Sequence, residues 1–314
     1  MDVLGTVLRE LRFESTEYRC LRLGAPFRVS FAEPGLRGVH VVVHGHCEVS
    51  VDGRPNLQLG AGDLILFPRG DPHVLSSAGG GTGPAQSGVA LAMAARPGQE
   101  VRAGGAGAET RILCGAFLVT RHDHPALNGL PRVVHVAASS AGQQWLAPYV
   151  DALTAEVQHS GAGSAVVTAR LSDALVARAL RFQMDVGEEP GLLRGLADPY
   201  VSLGLAAMHN DLARPWTVAS VAAAAGLSRA AFAARFRERT GMAPASYLTG
   251  LRLARARTLL RDERSTLAAV AAQVGYGSEA AFSAAFKRHA GMAPGAYRRG
   301  AIPSREEPVR APRE

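Results

Sequence analysis

Along residues 1 to about 76, apolar residues cluster or alternate in short runs: YRCLRL, FRVSFA, VHVVVHGHCEVSV, LQLGAG and DLILFP, each cut by Gly, Pro or Asp. Such punctuated runs predict strands and turns, and hence a small antiparallel barrel or sandwich. Between Ala78 and Ala108 the chain turns to Gly, Ala, Ser and Pro. Too few large apolar side chains remain there to order the backbone, so a mobile loop over 78–108 is expected. Strand character returns at TRILCGAFLV and RVVHVA, which completes a first domain over residues 1–137.

From Gln143 the period lengthens to about 3.6, with Trp145, Leu146, Tyr149, Leu153 and Val157 on one helical face. A second helix, Ser164 to Met184, aligns Val167, Leu171, Leu175, Val176 and Leu180 and stops near Gly187 and Pro190. This segment, 138–190, reads as a helical linker. Its apolar stripes suit either a homodimer contact or packing against the first domain.

Residues 198–300 carry an internal repeat. TVASVAAAAGLSRAAFAARFRERTGMAPASY at 217–247 returns as TLAAVAAQVGYGSEAAFSAAFKRHAGMAPGAY at 266–297. The offset is 49 residues from Thr217/Thr266 to Gly226/Gly275 and 50 from Phe232/Phe282 to Tyr247/Tyr297, because Gly277 lengthens the second turn. Each copy has a Thr N-cap, an Ala-rich helix, a turn Gly and a Ser N-cap opening a second helix, the ingredients of a helix-turn-helix. Val221, Leu227, Phe232 and Phe236, then Val270, Tyr276, Phe282 and Phe286, fall where each unit needs a core. Between the copies, SYLTGLRLARARTLLRDE alternates Leu and Arg at helical spacing, a stiff connector with Arg252, Arg255 and Arg257 available to phosphates.

Charge sharpens this picture. Residues 198–300 hold 14 Lys and Arg against 6 Asp and Glu, while the remainder holds 20 against 21. A basic domain beside a neutral one favours polyanion binding, because neutralised phosphates release counterions. The composition, 47% apolar and 19% charged, excludes overall disorder. No apolar run reaches membrane-spanning length and the N-terminus lacks a secretory pattern, so a cytoplasmic location without membrane contact is expected. Cys20, Cys47 and Cys114, odd in number and far apart, read as reduced thiols. The tail 301–314 is expected to be disordered.

Residues 198 to 299 resemble the DNA-binding domain of the AraC/XylS family of transcriptional regulators, through AAAAGLSRAAFAARFRERTGMAP and VAAQVGYGSEAAFSAAFKRHAGMAPGAYR. The resemblance implies that the second helix of each unit reads double-stranded DNA, with RNA polymerase as a further partner. By position, the first presents Ser228, Arg229, Ala230, Ala233 and Ala234, and the second Ser278, Glu279, Ala280, Ser283 and Ala284. Relatives often carry Arg where this chain has Ala234 and Ala284, and Arg paired to guanine is the commonest base contact. Either Arg229, Glu279 and Ser283 select the sequence, or DNA shape and thymine-methyl contacts by the alanines contribute. Arg235, Arg237, Lys287 and Arg288 are phosphate contacts or solvated surface.

GDLILFPRGDPH spaces Gly62, Pro68, Gly70 and His73 as G-x5-P-x-G-x2-H, and HVVVHGHCEVSVDG places Gly45 and Gly53 at turns. Both stretches resemble signatures of the cupin barrel. The fold expected is thus α+β and multidomain: a cupin-like β-barrel, a helical linker and an all-α double helix-turn-helix domain. Metal-binding cupins carry a Glu where this chain has Gly38, and the His-x-His of His44 and His46 comes too late, so a metal-dependent enzyme is not expected. His40, His73 and Cys114 can instead line an effector pocket, hold zinc, or be ordinary interior residues. Cys20 and Cys114 are a candidate thiol pair for sensing oxidants. The resulting function is a DNA-binding transcriptional regulator answering to a small molecule or oxidant; the alternatives are a cupin metal-dependent enzyme and an architectural DNA binder with a ligand-free barrel.

Overall fold

A computed structural model of the chain describes residues 2–11, 13–15, 18–79, 83–95, 99–119, 124–139, 143–159, 161–262 and 264–300. It divides into two compact units, one holding most of residues 4–197 and the other built on 198 onward. The tail expected to be disordered lies outside the described residues.

The first unit starts with helix α1 (Val3–Leu11) and strands β1 (Phe13–Ser15), β2 (Arg19–Gly24), β3 (Arg28–Phe31), β4 (Arg37–His44), β5 (His46–Val51), β6 (Leu57–Gly60), β7 (Leu64–Leu66) and β8 (His73–Ser76). There follow β9 (Gln86–Ser87), α2 (Gly88–Ala94), β10 (Val101–Gly104), β11 (Glu109–Val119), α3 (Pro125–Asn128), β12 (Val134–Val136), α4 (Leu146–Gln158), α5 (Ser164–Val186) and α6 (Leu192–Ala197). The strands bond as two sheets rather than as one closed cylinder: β10-β2-β11-β4-β7-β12 with β1 added on β11, and β6-β5-β8-β3-β9. Of the antiparallel barrel or sandwich expected, two sheets form, and the parallel pairs β10/β2 and β3/β9 make them mixed.

Strand register explains the core. Along β4, His40 stands opposite Cys114 and Val42 opposite Ile112, whereas Val39 and Val41 stand opposite Gly115 and Leu113. Because faces alternate along a strand, Val42, Ile112 and Cys114 join Val49, Leu75 and Phe67 in the core between the sheets. The other face is covered too: Tyr18 lies against Gly115 and shares a 2.7 Å hydrogen bond with Ser172 of α5. That is why the run VHVV, 39–42, is buried on both sides. Of the stretch 78–108, expected to be a mobile loop, the described residues instead contain β9, α2 and β10, and 80–82 and 96–98 lie outside the described residues. Its few apolar residues are well placed, with Val101 in the core and Leu91 and Ala103 packed on it.

The second unit is helical: α7 (Pro199–Asn210), α8 (Val218–Ala224), α9 (Arg229–Thr240), α10 (Pro244–Leu260), α11 (Leu267–Gln273), α12 (Glu279–Ala290) and α13 (Pro294–Arg298). All four expected N-caps form, with Thr217, Ser228, Thr266 and Ser278 accepting from backbone N–H groups three residues on. Gly241 and Gly291 close α9 and α12 in the left-handed conformation, and Pro244 and Pro294 open the next helices. Under the second helix of each copy, α9 and α12, lies the same aromatic trio. Ring centroids are 5.5 Å apart for Phe232 and Phe236 and 5.8 Å for Phe236 and Tyr247, against 5.7 Å for Phe282 and Phe286 and 5.5 Å for Phe286 and Tyr297.

Phe286 is fully buried, so Phe286→Ala should cost about 3–5 kcal/mol through lost transfer energy and a cavity. Phe286→Leu should cost clearly less. Urea unfolding of the full chain, read on the helical transition, measures both; a loss under about 1 kcal/mol for the alanine variant contradicts this packing.

Candidate nucleic-acid interface and interior cavity

The helix-turn-helix geometry leaves one face of each second helix uncovered. On α9, Ser228, Arg229, Ala230, Ala234 and Arg237 are exposed and Ala233 is half-buried. On α12, Ser278, Glu279, Ala280, Ala284 and Lys287 are exposed and Ser283 is half-buried. The candidate base-reading residues therefore share one outward face per helix, opposite the phenylalanines. Each helix N-terminus also carries the partial positive charge of its aligned peptides. Arg237, Lys287 and Arg288 flank these faces in solvent.

Other basic residues are committed inside the unit. Arg235 forks onto Asp198, its Nε lying 2.9 and 2.8 Å from the two carboxylate oxygens, and its guanidinium covers Tyr200 at 5.0 Å. Arg239 adds a contact at 3.3 Å. Asp198 also caps α7 by accepting from Tyr200 and Val201. Burial opposes its charge, but these hydrogen bonds and Arg235 outweigh that and hold the carboxyl below its usual range. Arg235 is thus an anchor between α7 and α9, which corrects its expected place as a phosphate contact or solvated surface.

Arg252 is corrected likewise: its Nη2 donates to the Arg214 carbonyl at 2.7 Å. Arg257 lies 5.9 Å over Phe286, and of Arg252, Arg255 and Arg257 only Arg255 is exposed. Neither anchor was visible in spacing, since Asp198 is 37 residues from Arg235 and the partners of Arg252 are backbone carbonyls.

In the first unit, His40 from one sheet meets His73 from the other, Nε2 to Nε2, at 2.7 Å. His73 Nδ1 lies 2.8 Å from the Asp71 carbonyl, which can only accept, so that nitrogen carries the proton. His73 Nε2 then accepts from His40, leaving His40 Nδ1 as a buried lone pair without a partner. Burial drives both imidazoles to the neutral form: His73 falls to about 4, partly offset by its bond to Asp71, and His40 falls well below its ordinary value, helped by the neighbouring His73. Phe67 stacks on His73 with centroids 3.5 Å apart, and Phe31 stacks at 5.2 Å.

Beside this pair opens a cavity of about 270 Å³, walled by Leu21, Phe31, Leu36, Val89 and Ala116, with Arg19, Glu33, Asp71 and His73 supplying the polar groups. Helix α2, which sequence patterning missed, contributes Gly88, Val89, Ala92 and Met93. Cys114 also reaches the wall. A resident zinc fits poorly. Zinc needs donors about 2.0–2.1 Å away, whereas the two imidazoles already bond each other. A carboxylate-bearing side chain at Gly38 would start 2.9 Å from His40 Nε2. Among the described residues, no three His, Cys, Asp or Glu side chains gather as a metal site.

The thiol pair also changes. Cys20 stands opposite Leu113 and Cys114 opposite Arg19, so the two thiols point to opposite faces of the sheet. Both are buried, and burial raises both above the ordinary thiol value. Their chemistry is that of packing groups rather than of an exposed, low-pKa sensor.

Residues 2–185 match a family model described as Cupin, and residues 221–300 match one described as Helix-turn-helix domain. An AraC-like transcription regulator of Streptomyces lividans is 35% identical over 282 residues, covering 88% of this chain and 91% of that protein. One from Streptomyces antibioticus is 35% identical, covering 88% and 92%. Among solved structures, the DNA-binding domain of AdpA in complex with a target DNA is 34% identical, covers 33% of this chain and 92% of that chain, and has a TM-score of 0.31. The chain belongs to the AraC family of transcriptional regulators, joining an N-terminal cupin domain to a C-terminal helix-turn-helix DNA-binding domain.

Proposed function

We propose that this protein is a non-enzymatic, cytoplasmic transcription factor in which the 270 Å³ cavity of the cupin domain takes a small, largely apolar effector. Occupancy then shifts the affinity of the helix-turn-helix domain for double-stranded DNA. The observation that carries the DNA half is the matched pair of capped recognition helices with uncovered faces. Arg229, Glu279 and Ser283 select bases directly, the alanines at 230, 233, 234, 280 and 284 contact thymine methyls or permit close approach, and Arg237 and Lys287 hold phosphates. RNA polymerase and a second copy of the chain complete the partners of this reading.

The cavity half rests on an apolar wall beside two neutral histidines whose facing nitrogens are already bonded to each other. Buried thiols on opposite faces favour a small molecule over an oxidant as the signal.

Thermal melting of the full chain against a panel of compact apolar molecules tests the cavity, because a ligand that binds only the folded state raises the melting temperature. Hits should also change DNA affinity, and Ala116→Phe, which fills the cavity, should abolish both effects. Hits that survive Ala116→Phe contradict the assignment.

On duplexes that the protein selects from a random library, Lys287→Ala should weaken binding across sequences and lower the salt slope by about one. An unchanged affinity and slope removes Lys287 from the phosphate contacts.

Acid should weaken the cupin domain. The folded His73 value lies at about 4, below the ordinary 6.5. The unfolded chain therefore binds more protons, and stability falls as pH drops from about 6.5 towards 4. Urea midpoints over this window should show the loss in wild type and a shallower one in His73→Phe; equal slopes contradict a buried neutral His73.

A further inference from the structure

The two helix-turn-helix copies differ in one respect that the repeat does not require. Gly226 and Gly275 occupy the same turn position with nearly the same backbone, φ 72° and 78°. A Cβ at Gly226 would meet nothing within 4 Å. At Gly275 it would lie 2.5 Å from Arg252 Nη2, 2.7 Å from the Leu212 carbonyl and 2.9 Å from the Ala213 carbonyl. The turn itself therefore needs only the left-handed conformation, and the crowding at Gly275 is a contact between the two helix-turn-helix copies.

Arg252 organises that contact. It rises from the middle of α10, donates to the carbonyls of Arg214 at 2.7 Å and Leu212 at 3.4 Å, and lies 5.7 Å over the Tyr276 ring. The loop it grips leads directly into the first helix-turn-helix and is braced internally. Trp216 Nε1 donates to the Asp211 carbonyl at 2.7 Å, and Arg214 covers the Trp216 ring at 4.2 Å. Gly275 and Tyr276 form the turn of the second helix-turn-helix. One guanidinium thus joins the connector, the entry to the first helix-turn-helix and the turn of the second, all within residues 198–300, with planar donors and a stacking face that an ammonium does not supply.

We propose that Arg252 is a positioning residue: the junction of Arg252, the 212–214 carbonyls and Gly275 fixes the spacing and phase of α9 and α12, and so the half-site separation that the protein accepts. Two rigidly linked binding elements gain avidity only on DNA whose half-sites match their separation. An inserted base pair turns one half-site by about 35° relative to the other, given about 10–10.5 base pairs per turn.

The test uses the full-length protein and the duplex that wild type selects from a random library, alone, with one base pair inserted between the half-sites, and with either half-site scrambled. Wild type should lose about tenfold or more on insertion, part of its avidity on the matched site. Arg252→Gln and Arg252→Lys should bind single half-sites like wild type, bind the matched site more weakly, and lose no more than about threefold on insertion, because both half-sites are no longer rigidly phased. Gly226→Ala carries the backbone strain without the junction contact and should keep the wild-type insertion penalty. Melting curves control for folding; if Arg252→Gln melts below the assay temperature, Arg252→Lys carries the comparison. The proposal is overturned if wild type ignores the insertion, if the Arg252 variants keep its penalty, if they lose affinity equally for single and paired half-sites, or if Arg252→Lys behaves as wild type.

Discussion

The aromatic contact beneath each recognition helix, Phe232, Phe236 and Tyr247 in one copy and Phe282, Phe286 and Tyr297 in the other, is what the DNA-binding unit depends on. Helices of seven and twelve residues are too short to persist alone in water. Burying the phenylalanines turns the alanine-rich face outward, and the caps settle where each helix begins. Large side chains inside and small ones outside leave low, alanine-rich faces, and the proposed base reading rests on their close approach to DNA.

The same logic explains which features the sequence made legible. Caps, turn glycines and aromatic positions are local signals with fixed offsets, so the repeat revealed both helix-turn-helix units almost element for element. Anchors that depend on long-range geometry were not legible. Arg235 and Arg252 looked like phosphate contacts because an arginine on a helix carries no mark of its partner. In the structure one is claimed by Asp198 and the other by backbone carbonyls.

In the cupin domain, alternation along β4 and β11 placed His40 and Cys114 correctly on strands, and the turn glycines marked the hairpins. Composition failed between residues 78 and 108. A short helix rich in Ala and Gly has little apolar area of its own, yet α2 is ordered against β3, where Gly88 fits beneath the Phe31 ring. Composition counts side chains but not the concavity they fit. The face each thiol occupies followed only from register, which separates Cys20 from Cys114 by a single residue step.

On the proposed reading, α9 and α12 engage DNA together, in successive major grooves. Methylation protection at guanine N7 on the selected duplex, with the full-length protein bound, tests it most directly. Joint engagement gives two protected windows on one face of the duplex, centred about 10–10.5 base pairs apart. A single protected window, or two windows on opposite faces, would contradict it.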